Sequence, residues 1–104
     1  YCLVAHGSAV RELSKDPQLG ERIAANFRSA ELPKKQVELL NFTKKLTRDP
    51  SEIVENDRKK LRNAGYTDRD IWDISAIVGL FNMTNRLASA TEMEPNNNYH
   101  NLAR

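Results

Sequence analysis

The chain has 104 residues, 39% hydrophobic and 29% charged, with sixteen basic against fourteen acidic side chains and a net charge of +2. That length bounds it to one domain or part of one, and the near balance of charge excludes the strongly basic face that nucleic-acid binding requires. No apolar run approaches the roughly 18–20 residues needed to cross a bilayer, so no membrane partner is expected. The single cysteine excludes a disulfide framework within this segment and favours a reducing, cytoplasmic setting.

The first predicted helix runs from the start of the chain to about Lys15, where Leu3, Val4, Val10 and Leu13 form an apolar stripe. Asp16-Pro17 ends it, because a residue before proline disfavours the helical region. A second helix is expected from about Pro17 to Ser29, with Leu19, Ile23 and Phe27 at four-residue spacing and Gly20 weakening it. The third covers about Pro33 to Thr47. Val37, Leu40, Lys44 and Thr47 share one side, Leu39, Phe42 and Leu46 lie close by, and Arg48-Asp49-Pro50-Ser51 breaks the pattern.

The fourth predicted helix spans about Glu55 to Ala64, and Gly65 occupies the place of a left-handed C′ residue. The basic run Arg58-Lys59-Lys60-Leu61-Arg62 reads as a solvated face offset by Glu55 and Asp57. Thr67-Asp68-Arg69-Asp70 resembles a capping box and opens the longest helix, from about Asp68 to Ala90. Ile71, Ile74, Ile77, Val78, Phe81 and Leu87, with Trp72 beside them, mark it as the core helix. Asn82 and Asn85 interrupt that face; the plain reading of such amides is a structural hydrogen bond, the functional one a pocket-lining group.

The expected fold is therefore an all-α compact helical bundle, with residues 1–94 as the helical domain and 95–104 as an irregular tail. The chain begins at Tyr1 without a methionine and opens on an apolar segment, which leads to the expectation that an N-terminal portion precedes it.

Chemistry concentrates at Cys2 and His6, four residues apart in Tyr1-Cys2-Leu3-Val4-Ala5-His6-Gly7. On a helix that spacing brings two side chains to one face, with Cβ atoms about 5–6 Å apart. A thiol beside an imidazole can transfer its proton and become the nucleophilic thiolate, which at its ordinary pKa of about 8.5 is a minor form near neutrality. The bland alternative is a buried cysteine acting as a small hydrophobe beside a hydrogen-bonded histidine. A zinc site is the third reading, but it needs at least three protein ligands, and only His100 or scattered carboxylates remain to supply them. Accordingly no metal and no cofactor are expected.

These residues also carry a resemblance. The segment Tyr1–Gly7 with Ala9 and Arg11-Glu12-Leu13 resembles the redox motif of alkylhydroperoxidase D-like proteins, in the carboxymuconolactone decarboxylase superfamily, and specifically their peroxidase-related branch. Asp49-Pro50, Ala64-Gly65-Tyr66, Ile71-Trp72-Asp73-Ile74 and the stretch from Phe81 to Thr91 agree with it. In the family motif Cys-x-x-Cys-x-x-x-His, Cys2 matches the second cysteine and His6 the histidine. The first cysteine and an upstream acidic residue would fall before Tyr1.

The resemblance implies the C-terminal half of a longer protein and a thiol-dependent peroxidase serving antioxidant defence, with Cys2 and His6 as its catalytic residues. Cys2 would be oxidised by a hydroperoxide to a sulfenic acid. The first cysteine would then condense with it, and a dithiol or lipoyl-type reductant would reopen the disulfide. His6 would move the protons. Homo-oligomers are implied as well. The alternatives are a lactone decarboxylase of the same superfamily, or a non-catalytic helical oligomerisation module whose apolar faces are subunit contacts.

Overall fold

Helix ends in this chain are set by local chemistry. The computed structural model describes residues 2–94 and 97, with the side chains of 2–5 and 29 excepted. In chain order it shows α1 (Cys2–Ser14), α2 (Leu19–Asn26), a 3₁₀ turn (Phe27–Ser29), α3 (Lys34–Arg48), a second 3₁₀ turn (Pro50–Glu52), α4 (Glu55–Asn63) and α5 (Asp68–Ala90). No strand occurs among the described residues, and the fold is all-α as expected. The expected tail from residue 95 lies almost wholly outside the described residues.

The described residues fall into two units: Leu32–Met83, and the segments flanking it. In the flanking unit, α1 ends where Lys15 turns left-handed at φ 62°. Asp16 then organises the start of α2: its carboxylate accepts from the Gln18 N–H at 2.9 Å and from Arg22 at 2.7 Å. Ser8, Arg11 and Ala30 are buried in this unit. The predicted second helix is shorter than expected at both ends, since its final turn tightens into the 3₁₀ segment, where the Asn26 side chain accepts from Arg28 N–H at 3.1 Å.

The unit Leu32–Met83 is built on a core of Phe42 from α3, Leu61 from α4 and Ile71 from α5, with Leu46, Ile53, Tyr66 and Ile74 packed against it. Leu61 is the most enclosed, at 1% exposure. It sits inside the basic run read as a solvated face. The run is indeed solvated around it: Arg58 pairs with Glu55 at 2.9 Å, and Arg62 bridges Glu55 and Asp68.

The α4–α5 turn is fixed by a Schellman arrangement. Tyr66 N–H donates to Leu61 O and Gly65 N–H to Arg62 O, each at 3.0 Å, with Gly65 at φ +108°. The accompanying apolar contact of this motif is made here by Tyr66 and Leu61 in the same core. The turn is clasped to α3, because the Tyr66 hydroxyl donates to Lys35 O at 3.1 Å while the Lys35 ammonium lies 4.7 Å from the Tyr66 ring centre. α5 opens with the predicted box. Thr67 N–H donates to the Asp70 carboxylate at 2.8 Å and Asp70 N–H to the Thr67 hydroxyl at 3.1 Å. Aspartate thus performs the reciprocal bond usually made by glutamate.

α3 and α4 are further tied by Lys45 and Asp57 at 2.8 Å, with Asp57 also accepting from Val54 N–H at 2.9 Å. Asn82 takes the structural role expected for it, its side-chain oxygen accepting from the Thr47 hydroxyl at 3.3 Å.

Two outcomes follow. Leu61→Ala removes the centre of the core, and a loss of about 2–5 kcal/mol in urea-unfolding free energy is expected. Asp57's carboxyl is held below its usual range, first by the hydrogen bond from Lys45 and then by the Val54 N–H, with burial opposing both. Because its folded pKa lies below the unfolded value of about 3.9, this contribution is complete above that value and is lost as pH falls through the folded pKa. The stability gap between wild type and Asp57→Asn, measured by urea midpoints, should therefore close as pH is lowered below about 4.

Candidate functional site

α1 carries Cys2 and His6 on one continuous helix, so the backbone spacing the sequence suggested is present. His6 is exposed and engaged with a neighbour. The Cys2 side chain lies outside the described residues, and so does His100.

The peroxidase reading nevertheless has to be corrected. Its cycle needs two thiols, one to be oxidised and one to displace water from the sulfenic acid, and this sequence contains a single cysteine. No Cys-x-x-Cys pair exists in the chain to be reduced by a dithiol or lipoyl group. Among the described residues no group of three or more His, Cys, Asp or Glu side chains forms a metal-binding cluster that would supply a different centre. The expected enzyme activity, the redox-active cysteine, and the hydroperoxide and dithiol partners are all withdrawn for this chain. No helix of the described residues is long and apolar enough to cross a membrane.

What the structure presents instead is an uncovered side of α5. The expectation of a single broad core face on this helix fails in part. Ile71 and Val78 are buried and Ile74 half-buried, but Ile77, Phe81 and Leu87 are exposed, and Trp72 is 71% exposed. The reason is geometric. Only one side of a cylinder can meet Phe42 and Leu61, and apolar residues on the remaining sides stay outside.

Within Leu32–Met83, the 3.6-residue period sets Trp72, Ala76, Gly79, Leu80 and Met83 along one outer side of α5, with Ile77 at its edge and Phe81 on the flank of the core-facing side. Leu80 and Met83 are each more than half exposed. Gly79 stands in the middle of this side, where an added Cβ would meet nothing within 4 Å. A mid-helix glycine costs about 1 kcal/mol relative to alanine, and no neighbour among the described residues requires the missing side chain. Close approach by another helix would require it.

The sequence reading missed this surface: it named Trp72 beside a single core face and passed over Ala76, Gly79, Leu80 and Met83. The signal was there: Ile71-Ile74-Val78 and Trp72-Ala76-Gly79-Leu80-Met83 are separate series about a quarter-turn or more apart.

No protein-family model matches the chain, and neither does any curated protein. Solved structures do. The chain superimposes over its whole length on an uncharacterized peroxidase-related protein from Silicibacter sp. TM1040, with 58% identity and a TM-score of 0.97. It also matches, again over its whole length, the alkylhydroperoxidase AhpD core of an uncharacterized peroxidase-related protein from Ralstonia eutropha JMP134, with 38% identity and a TM-score of 0.94. It spans 55% of the length of each of these two structures. With all of its sequence aligned at that identity, the chain is a structural homologue of the peroxidase-related, AhpD-core proteins of the carboxymuconolactone decarboxylase and alkylhydroperoxidase D superfamily.

Proposed function

We propose that this chain acts as a non-catalytic helical module that associates with a second copy of itself through the outer side of α5. The observation that carries the reading is the set of exposed apolar side chains Trp72, Leu80 and Met83 on one side of α5, with Ile77 at its edge and Gly79 leaving room at its centre. Contiguous exposed apolar surface of this kind is a mark of interaction sites. The cytoplasm is the location we propose with it, supported by the sparing use of cysteine.

Magnitudes set the expected strength. Full burial of side chains of this size contributes about 1.5–3 kcal/mol each. These are roughly half exposed already in the single chain, so four from each of two copies supply on the order of 10 kcal/mol. Association costs about 4–15 kcal/mol in lost freedom. The two terms are comparable, which predicts a dimer that dissociates on dilution.

The test is sedimentation or light scattering over a concentration series. The wild-type chain is expected to move from its 11.9 kDa single-chain mass to twice that value. Leu80→Glu with Met83→Glu should stay monomeric with unchanged helical circular dichroism. Gly79→Ala should raise thermal stability in dilute solution while weakening association. A wild-type chain that stays at single-chain mass at the highest concentration sinks the reading.

A further inference from the structure

A second feature lies elsewhere in the unit Leu32–Met83 and is independent of the α5 surface. Lys34, Lys35 and Glu38 of α3 face Lys60, Asn63 and Ala64 of α4 and its cap across an open cleft of about 320 Å³. We propose that this cleft binds a small phosphate monoester dianion.

The argument rests on how the chain distributes its charges. Four cations of this unit are matched at short range: Lys45 with Asp57, Arg58 with Glu55, Arg62 with Glu55 and Asp68, and Arg69 with Asp73; Lys44, Arg48 and Lys59 form no ion pair among the described residues either, but none of these three lines the cleft. Among the described residues the three lysines of the cleft form no such pair, although they converge on one space. Asp57 feels Lys60 and Asp70 feels Lys35 only as through-space charges, each secondary to the hydrogen bonds those carboxylates make. Glu38 is the single acid in the lining, so the cleft carries a net +2.

Lys34 and Lys35 also stand in the first turn of α3, which contains no acidic residue. The positive end of the helix dipole disfavours cations there, so their placement opposes the local field. Three like charges line one cleft against that field, and repel one another there to the extent that solvent leaves them unscreened. A dianion would relieve the repulsion and match the net charge. Lys35 is already held in place by the Tyr66 ring, at 4.7 Å, so one of the three ammonium groups is pre-positioned.

The volume sits at the lower end of the range for small-molecule sites, roughly 300–1,000 Å³, which favours a compact ligand over a nucleotide. Three ammonium groups and the Asn63 amide are all able to donate hydrogen bonds. They suit the several acceptor oxygens of a tetrahedral phosphate better than a flat carboxylate.

The experiment uses the full chain with inorganic phosphate and glycerol 3-phosphate, against chloride and succinate at equal ionic strength. Both phosphates should raise the melting temperature saturably, and amide chemical-shift changes should concentrate in Lys34–Glu38 and Lys60–Ala64. Lys34→Gln with Lys60→Gln should melt above the wild type in chloride, because the repulsion is gone, and should bind phosphate at least tenfold more weakly. A phosphate response no greater than that of chloride overturns the proposal. So does an equal response to succinate, a shift pattern spread over the basic residues of the whole chain, or a double variant that responds like the wild type. The shift map on the wild-type chain is decisive on its own should the variant fail to fold.

Discussion

The meeting of Leu61 with Phe42 and Ile71 is the contact from which the unit Leu32–Met83 takes its form. Three helices each commit one large side chain to it, and the hydrogen bonds around it serve to hold those helices in reach. The Schellman turn at Gly65 redirects the chain immediately after Leu61, and the Tyr66 ring returns to the same core while its hydroxyl fastens α3. The position of Lys35, the direction of α5 and the choice of which α5 residues remain outside all follow from that joint. Burial of one leucine in the middle of a basic run thus governs both the apolar and the charged surfaces of the unit.

Much of this was legible in the residues because the punctuation is local. Proline at positions 17, 33 and 50, glycine at 65 and the Thr67–Asp70 box act through their own backbone and nearest neighbours, and the five helices start and stop within a few residues of the places they mark. The 3₁₀ turns escaped notice, since a three-residue segment has no period to detect. Leu61 escaped as a core residue because all four of its neighbours in the run are cations, and only the tertiary fold shows that one side of that helix is closed. The outer side of α5 was passed over for the converse reason: hydropathy records which residues are apolar, not which of them finds a partner.

The candidate site was less legible than the fold. The Cys2–His6 spacing is helical, as the sequence suggested, but spacing between two groups does not provide the second thiol that the chemistry consumes. The homology to peroxidase-related proteins describes the architecture, while the reactive inventory of this chain is its own. The described side chains, by contrast, present two surfaces: an apolar side of α5 with a glycine at its centre, and a cleft where lysines gather without matching carboxylates.

The left-handed residues divide unevenly between the two units. In Leu32–Met83 the one positive φ belongs to Gly65, which adopts it freely. In the flanking segments Lys15, Glu31 and Glu92 adopt φ of 54–62° while carrying long side chains, at a cost of roughly 1–2 kcal/mol each. Strain of that kind is released whenever a chain reversal opens. The two units should accordingly differ in cooperativity: amide protons near residues 15, 31 and 92 exchange through cheap local openings, whereas those around Leu61 exchange only when the unit Leu32–Met83 unfolds.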